Sequence, residues 1–115
     1  MEQNSNTDIE NILNLIYNEI ADRDINPVDN SYTNYLLNEG TNKICKKIGE
    51  EATETVIAAL SEGKEELIGE ISDLIYHTLV LMYNKQVTLN EVKLKLEERF
   101  EIKGNKKKFN KRGNY

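Results

Sequence analysis

The 115-residue chain has one cysteine, one proline and one histidine, and each scarcity removes a class of explanation. Cys45, alone, cannot form an intrachain disulfide, and its place on the apolar side of a helical pattern predicts plain packing in place of redox chemistry. With Pro27 the only proline, long stretches can run as uninterrupted helix. Zinc sites usually want imidazole or thiolate, and a ferritin-like di-iron site needs Glu-x-x-His twice; a chain whose only histidine is His77 offers neither. No apolar run is long enough to cross a membrane, and the start Met1-Glu2-Gln3-Asn4 lacks the basic-then-apolar layout of a signal peptide, so the expected location is the cytoplasm. No alternating strand pattern of useful length and no internal repeat occurs. Cations are scarce too, until the end. Residues 1–102 carry 9 Lys+Arg against 20 Asp+Glu, a net −11, whereas residues 103–115 carry six basic residues and no acid. That +6 tail has almost no apolar content, reads as disordered and solvated, and supports no specific nucleic-acid partner.

What is present is helical periodicity nearly everywhere, which makes the expected fold all-α: an antiparallel bundle of four to five helices in one domain over residues 1–102, followed by the tail. At 38% hydrophobic content the core is modest, and a partner chain would help complete it. A first helix is expected from about Asp8 to Asp22, with Thr7 and Glu10 spaced as a capping box and Ile9, Ile12, Leu13, Ile16 and Ile20 as its stripe. Ser31 caps a short segment from Tyr32 to Asn38 that ends near Gly40. A long helix then runs from Thr41 or Asn42 towards Gly63, another from Lys64 to Asn84, and a last one from Leu89 to about Glu101 behind the capping box of Thr88 and Glu91.

The two central helices carry acid pairs at mirror-image positions. Folded back as a hairpin centred near Glu62, they set Glu51 opposite Asp73 and Glu54 opposite Glu70, roughly 12 to 17 Å below the turn at 1.5 Å per residue. On the first of them Lys43, Lys47, Glu50, Glu51 and Glu54 fall within an arc of about 100°, and Ile44, Cys45, Ile48, Ala52, Val56, Ala59 and Leu60 form the opposite, core-like side. The second is apolar around its whole circumference, which predicts burial, and Glu70 and Asp73 interrupt it. Glu50 and Glu51 alone would pass for a solvated charge run. Lys47, four residues before Glu51, is a candidate ion-pair partner, yet one lysine cannot satisfy four acids. Carboxylates gathered in this way repel one another and resist burial unless a hard cation neutralises them. Oxygen-only donors favour Mg²⁺, with Mn²⁺ as a substitute, and magnesium held by a few carboxylates keeps positions open for phosphate. Lys43 and Lys47, one to two turns away on the same face, are placed to meet that phosphate charge. The chain thus reads as a Mg²⁺-dependent helical enzyme.

The run Lys43-Ile44-Cys45-Lys46-Lys47-Ile48-Gly49-Glu50-Glu51-Ala52-Thr53-Glu54-Thr55-Val56-Ile57-Ala58-Ala59, with Ser31-Tyr32-Thr33 before it and Glu70-Ile71-Ser72-Asp73-Leu74-Ile75-Tyr76-His77 after it, resembles phosphoribosyl-ATP pyrophosphatases of histidine biosynthesis over about residues 9–100. The wider superfamily, the MazG-like all-α nucleotide pyrophosphohydrolases, is marked by Glu-x-x-Glu followed by Glu-x-x-Asp, here Glu51, Glu54, Glu70 and Asp73. The resemblance implies hydrolysis of 1-(5-phosphoribosyl)-ATP to the AMP compound and pyrophosphate, with Mg²⁺ at those four acids and in a homodimer that completes the bundle. The alternative is a MazG-like enzyme acting on non-standard nucleoside triphosphates. Glu50 or Glu51 is expected as the general base, because a carboxylate fully committed to metal is a poorer proton acceptor. Ser31, Tyr32 and Thr33 carry over as a substrate-side element, or else Ser31 caps and Tyr32 packs. His77 is either a phosphate contact or a packing and hydrogen-bonding residue. A cyclohydrolase domain, often fused to this activity, has no counterpart in the sequence, so the next pathway step is expected from another protein.

Overall fold

The computed structural model describes residues 8–100, and the basic tail and Thr7 lie outside them. Five helices follow in order: α1 (Ile9–Ile25), α2 (Tyr32–Glu39), α3 (Thr41–Ser61), α4 (Lys64–Asn84) and α5 (Leu89–Phe100), and no strand occurs among the described residues. The chain is all-α, as its periodicity predicts. The first cap differs from expectation, since Asp8 accepts the Asn11 amide at 2.8 Å and α1 runs three residues beyond Asp22. Ser31 caps α2 through the Asn34 amide at 3.1 Å. Gly40 then ends α2 at φ 91°, a left-handed conformation that a side chain would strain, and so lets α3 start at once. Thr88 and Glu91 form the expected reciprocal box at 3.1 and 2.9 Å.

Helices α3 and α4 form the hairpin, joined by Glu62 and Gly63 alone. Its open end is where α1 and α2 pack, around buried Ile20, Leu36, Ile44, Leu79 and Val80. Buried Asn34 stitches this end together, donating to the Arg23 carbonyl at 2.7 Å and accepting the Val28 amide at 2.9 Å. Tyr17 donates to the Val87 carbonyl at 2.8 Å, and Tyr83 donates to Asp24 at 2.6 Å.

Two sequence expectations of burial fail on this hairpin. On α3, Ile44 is buried and Ile48 packs on the core, but Cys45 is exposed, as are Val56, Ala59 and, at 82%, Leu60. On α4, Ile68, Ile71 and Ile75 are 48, 41 and 37% exposed instead of buried. Towards the turn the reason is reach: α1 and α2 pack at the open end of the hairpin and leave Val56, Ala59, Leu60, Ile68 and Ile71 uncovered, whereas Cys45 lies near the open end and is exposed there as well.

Candidate active site

The mirror spacing does bring the acids together. One carboxylate oxygen from each of Glu51, Glu70 and Asp73 lies within 4.8 Å of the others. Glu51 is 8% exposed, Glu70 is half-buried and Asp73 faces solvent. Glu54 is exposed and outside that trio, yet it acts on Glu70: burial first, then contact with Glu54 and with Glu51, pushes the Glu70 carboxyl up to about 7. Two touching carboxylates either share a proton or repel, which favours the protonated form of Glu70. Oε1 of Glu51 and Oε1 of Glu70 are both buried without a hydrogen-bond partner. Unpartnered buried carboxylate oxygens are costly, and two of them pointing into one cluster fit a bound cation. The donors are all hard oxygens, the set that suits Mg²⁺ or Mn²⁺.

Around the acids, Lys47 pairs with Glu50 at 3.3 Å, one turn along the exposed face of α3, and not with Glu51. The three-residue spacing points Glu50 back at the lysine, while Glu51 turns under the helix towards α4. Contact with Glu50, reinforced by Tyr32 and Glu51 nearby, raises the Lys47 ammonium. Lys43, a turn further on, is raised chiefly by the Tyr35 hydroxyl, with Glu39 and Glu50 adding to it.

His77 is buried between the acids and α2. Its Nδ1 lies 2.7 Å from the Asp73 carbonyl, which can only accept, so Nδ1 carries the hydrogen. In the tautomer with that hydrogen, Nε2 accepts the Tyr32 hydroxyl at 2.9 Å. A chain of contacts therefore links α2 to the backbone of an acid in the cluster. Burial raises the Tyr32 phenol, with Lys47 opposing. Thr33 hydrogen-bonds the Tyr76 hydroxyl, and burial raises Tyr76. Ser31 serves as the α2 cap, its hydroxyl accepting the Asn34 amide.

Sequence reasoning passed over three residues here. Tyr35 and Tyr76 each stack with Tyr32, with ring centres 6.0 and 6.3 Å from it, and Asn34 holds the loop before α2. The signal available was Tyr32 and Tyr35 at i and i+3 on one short helix, a spacing that puts both rings on one side. Nothing local to the sequence places Tyr76 beside them.

Residues 13–100 match the family model described as phosphoribosyl-ATP pyrophosphohydrolase. The chain is 51% identical over 96 residues to the phosphoribosyl-ATP pyrophosphatase of Clostridium acetobutylicum, covering 84% of this chain and 87% of that protein. It is 49% identical over 105 residues to the histidine biosynthesis bifunctional protein HisIE of Lactococcus lactis, covering 91% of this chain and 50% of that protein. The HisIE of Caldanaerobacter subterraneus is 54% identical over 89 residues, 77% of this chain and 43% of that protein. The chain thus spans about half the length of these bifunctional relatives and most of the length of the clostridial one. Taken with the helical hairpin and its acid cluster, these matches show that the chain belongs to the phosphoribosyl-ATP pyrophosphohydrolase family.

Proposed function

We propose that the chain hydrolyses phosphoribosyl-ATP to phosphoribosyl-AMP and pyrophosphate, as a step of histidine biosynthesis. The observation that carries the reading is the pair of buried, unpartnered oxygens on Glu51 and Glu70 within an all-oxygen cluster. Glu51, Glu70 and Asp73, with Glu54 against Glu70, would hold Mg²⁺, or Mn²⁺ in its place. When bound, such a cation neutralises the acids and polarises phosphoryl oxygens. Lys47 and Lys43 line the approach along α3 and attract the polyphosphate. A phosphate that draws Lys47 away from Glu50 releases an exposed carboxylate beside the cluster, placed to take a proton from an attacking water. Glu51 is the other acceptor, and commitment of its buried oxygen to the cluster makes Glu50 the better one. Both ring nitrogens of His77 are occupied, so its role is to fix Tyr32 and the Asp73 backbone.

A homodimer belongs to this reading. Val56, Ile57, Leu60, Ile68 and Ile71 towards the turn, with Ile75 at mid-helix, leave the hairpin apolar and exposed, and a second copy would cover them. A cytoplasmic location goes with it, where nucleotides and Mg²⁺ are both at hand, and no helix of the described residues is long and apolar enough to cross a membrane. The test is purified protein with Mg²⁺ and phosphoribosyl-ATP, then dUTP and other triphosphates. Pyrophosphate release from the first substrate alone is expected, and comparable turnover of dUTP would favour the broader MazG-like activity. Glu70→Gln or Glu54→Gln should abolish turnover with helicity intact. Full Mg²⁺-dependent activity in both variants would sink the assignment of the acids.

A further inference from the structure

Three tyrosines form a continuous aromatic surface beside the acid cluster, and packing does not account for all of it. Tyr32 stacks on Tyr35 at 6.0 Å and 26° and on Tyr76 at 6.3 Å and 29°. Rings nearly parallel at such centre distances are offset, not eclipsed, so much of each face stays open. Tyr32 and Tyr35 are 44 and 45% exposed. Tyr76 anchors the row through Thr33, and His77 anchors Tyr32, so the platform is held rigid by hydrogen bonds at its inner edge while its outer end faces solvent.

Charge is arranged along the same line. Lys47 acts on Tyr32 and Lys43 acts on Tyr35, so α3 sets one ammonium beside each exposed ring. The Lys43 nitrogen lies over the Tyr35 ring, 5.7 Å from its centre, and its leading interaction is with the hydroxyl, which sets it towards the oxygen end of the ring. From Glu51 to Lys43 is eight residues of helix, roughly 12 Å at 1.5 Å per residue. A nucleotide with its phosphates at the acids and Lys47 therefore has its ribose and base along the tyrosines.

We infer that Tyr35 and Tyr32 form a stacking platform for the heterocyclic base of the nucleotide, with Lys43 at its outer edge. The inference rests on the proposed reading of the acid cluster as the phosphate end. Base-on-aromatic stacking tolerates any flat heterocycle, so the platform supplies affinity for a base in general and fixes the direction in which the substrate lies.

The experiment compares AMP with ribose 5-phosphate, which share ribose and phosphate and differ in the base, by calorimetry on full-length protein in Mg²⁺. Wild type should bind AMP about five- to a hundred-fold more tightly. Tyr35→Ala should bring that ratio close to one while leaving ribose 5-phosphate affinity unchanged, and Tyr35→Phe should retain it. Tyr35 is half exposed, and circular dichroism of each variant verifies the fold; Tyr35→Leu serves as a second replacement if the alanine variant loses helix. A merely structural tyrosine would weaken both ligands alike. Equal wild-type affinity for the two, no AMP binding, or an unchanged ratio in both Tyr35→Ala and Tyr35→Leu overturns the platform. Base selectivity that persists in a protein unable to cleave phosphoribosyl-ATP keeps the platform and removes the proposed reaction.

Discussion

Lowering the pH should loosen magnesium binding in a way that reports on one residue. Glu70 carries a carboxyl raised to about 7 by burial and by the press of Glu54 and Glu51, and a cation at the cluster competes with that proton. With a pKa of about 7, Glu70 is about nine-tenths ionised at pH 8 and about one-tenth at pH 6. The apparent Mg²⁺ affinity should thus fall about tenfold across that interval if a single proton is displaced. Calorimetry at pH 6, 7 and 8, repeated in two buffers of different ionisation enthalpy, measures both the affinity and the proton released. Glu70→Gln should bind more weakly and with a flat profile. The stability of the metal-free protein moves in the same sense. A carboxyl whose folded pKa lies above its ordinary value of 4.5 favours the fold while protonated, so its contribution is present below about 4.5 and is lost as pH rises through 7. The melting temperature without metal should decline from pH 5 to pH 8, and saturating Mg²⁺ should cancel the decline. A wild-type Mg²⁺ affinity that is level from pH 6 to pH 8, with no proton released, would refute the account of Glu70.

Three further outcomes follow from the fold. Asn34→Ala strands the Arg23 carbonyl and the Val28 amide, at a cost of about 2 to 3 kcal/mol in urea denaturation, and a loss under about 0.5 kcal/mol would show that water replaces both bonds. Sedimentation should give twice the monomer mass, because the α3–α4 hairpin exposes six large apolar side chains; an active monomer at assay concentration would count against the dimer. Truncation after Ile102 should preserve turnover at low and physiological ionic strength. A large loss of kcat/KM at both would show that the basic tail makes a contact with substrate, whereas a loss at low salt alone would mark it as an electrostatic attractor.

The sequence by itself determined the helices, their caps at Ser31 and Thr88, and the gathering of Glu51, Glu70 and Asp73. These are matters of local arithmetic: a period of 3.6 residues, a two-residue turn, and acids spaced evenly about it leave little freedom in what meets what. Family resemblance was legible for the same reason, since its marks lie in contiguous runs. Tertiary structure alone decided the rest. Whether Lys47 takes Glu50 or Glu51 depends on side-chain direction over a single turn, and both spacings were open to it. Tyr76 and Tyr35 reach one platform only because α2 lies across α4, a contact between residues more than forty positions apart. The tautomer of His77 follows from a carbonyl on its own helix and a hydroxyl on another. Periodicity also overstated burial. An apolar circumference states what α4 must hide, and Ile68, Ile71 and Ile75 stay exposed because hiding them requires a neighbour that one chain does not provide.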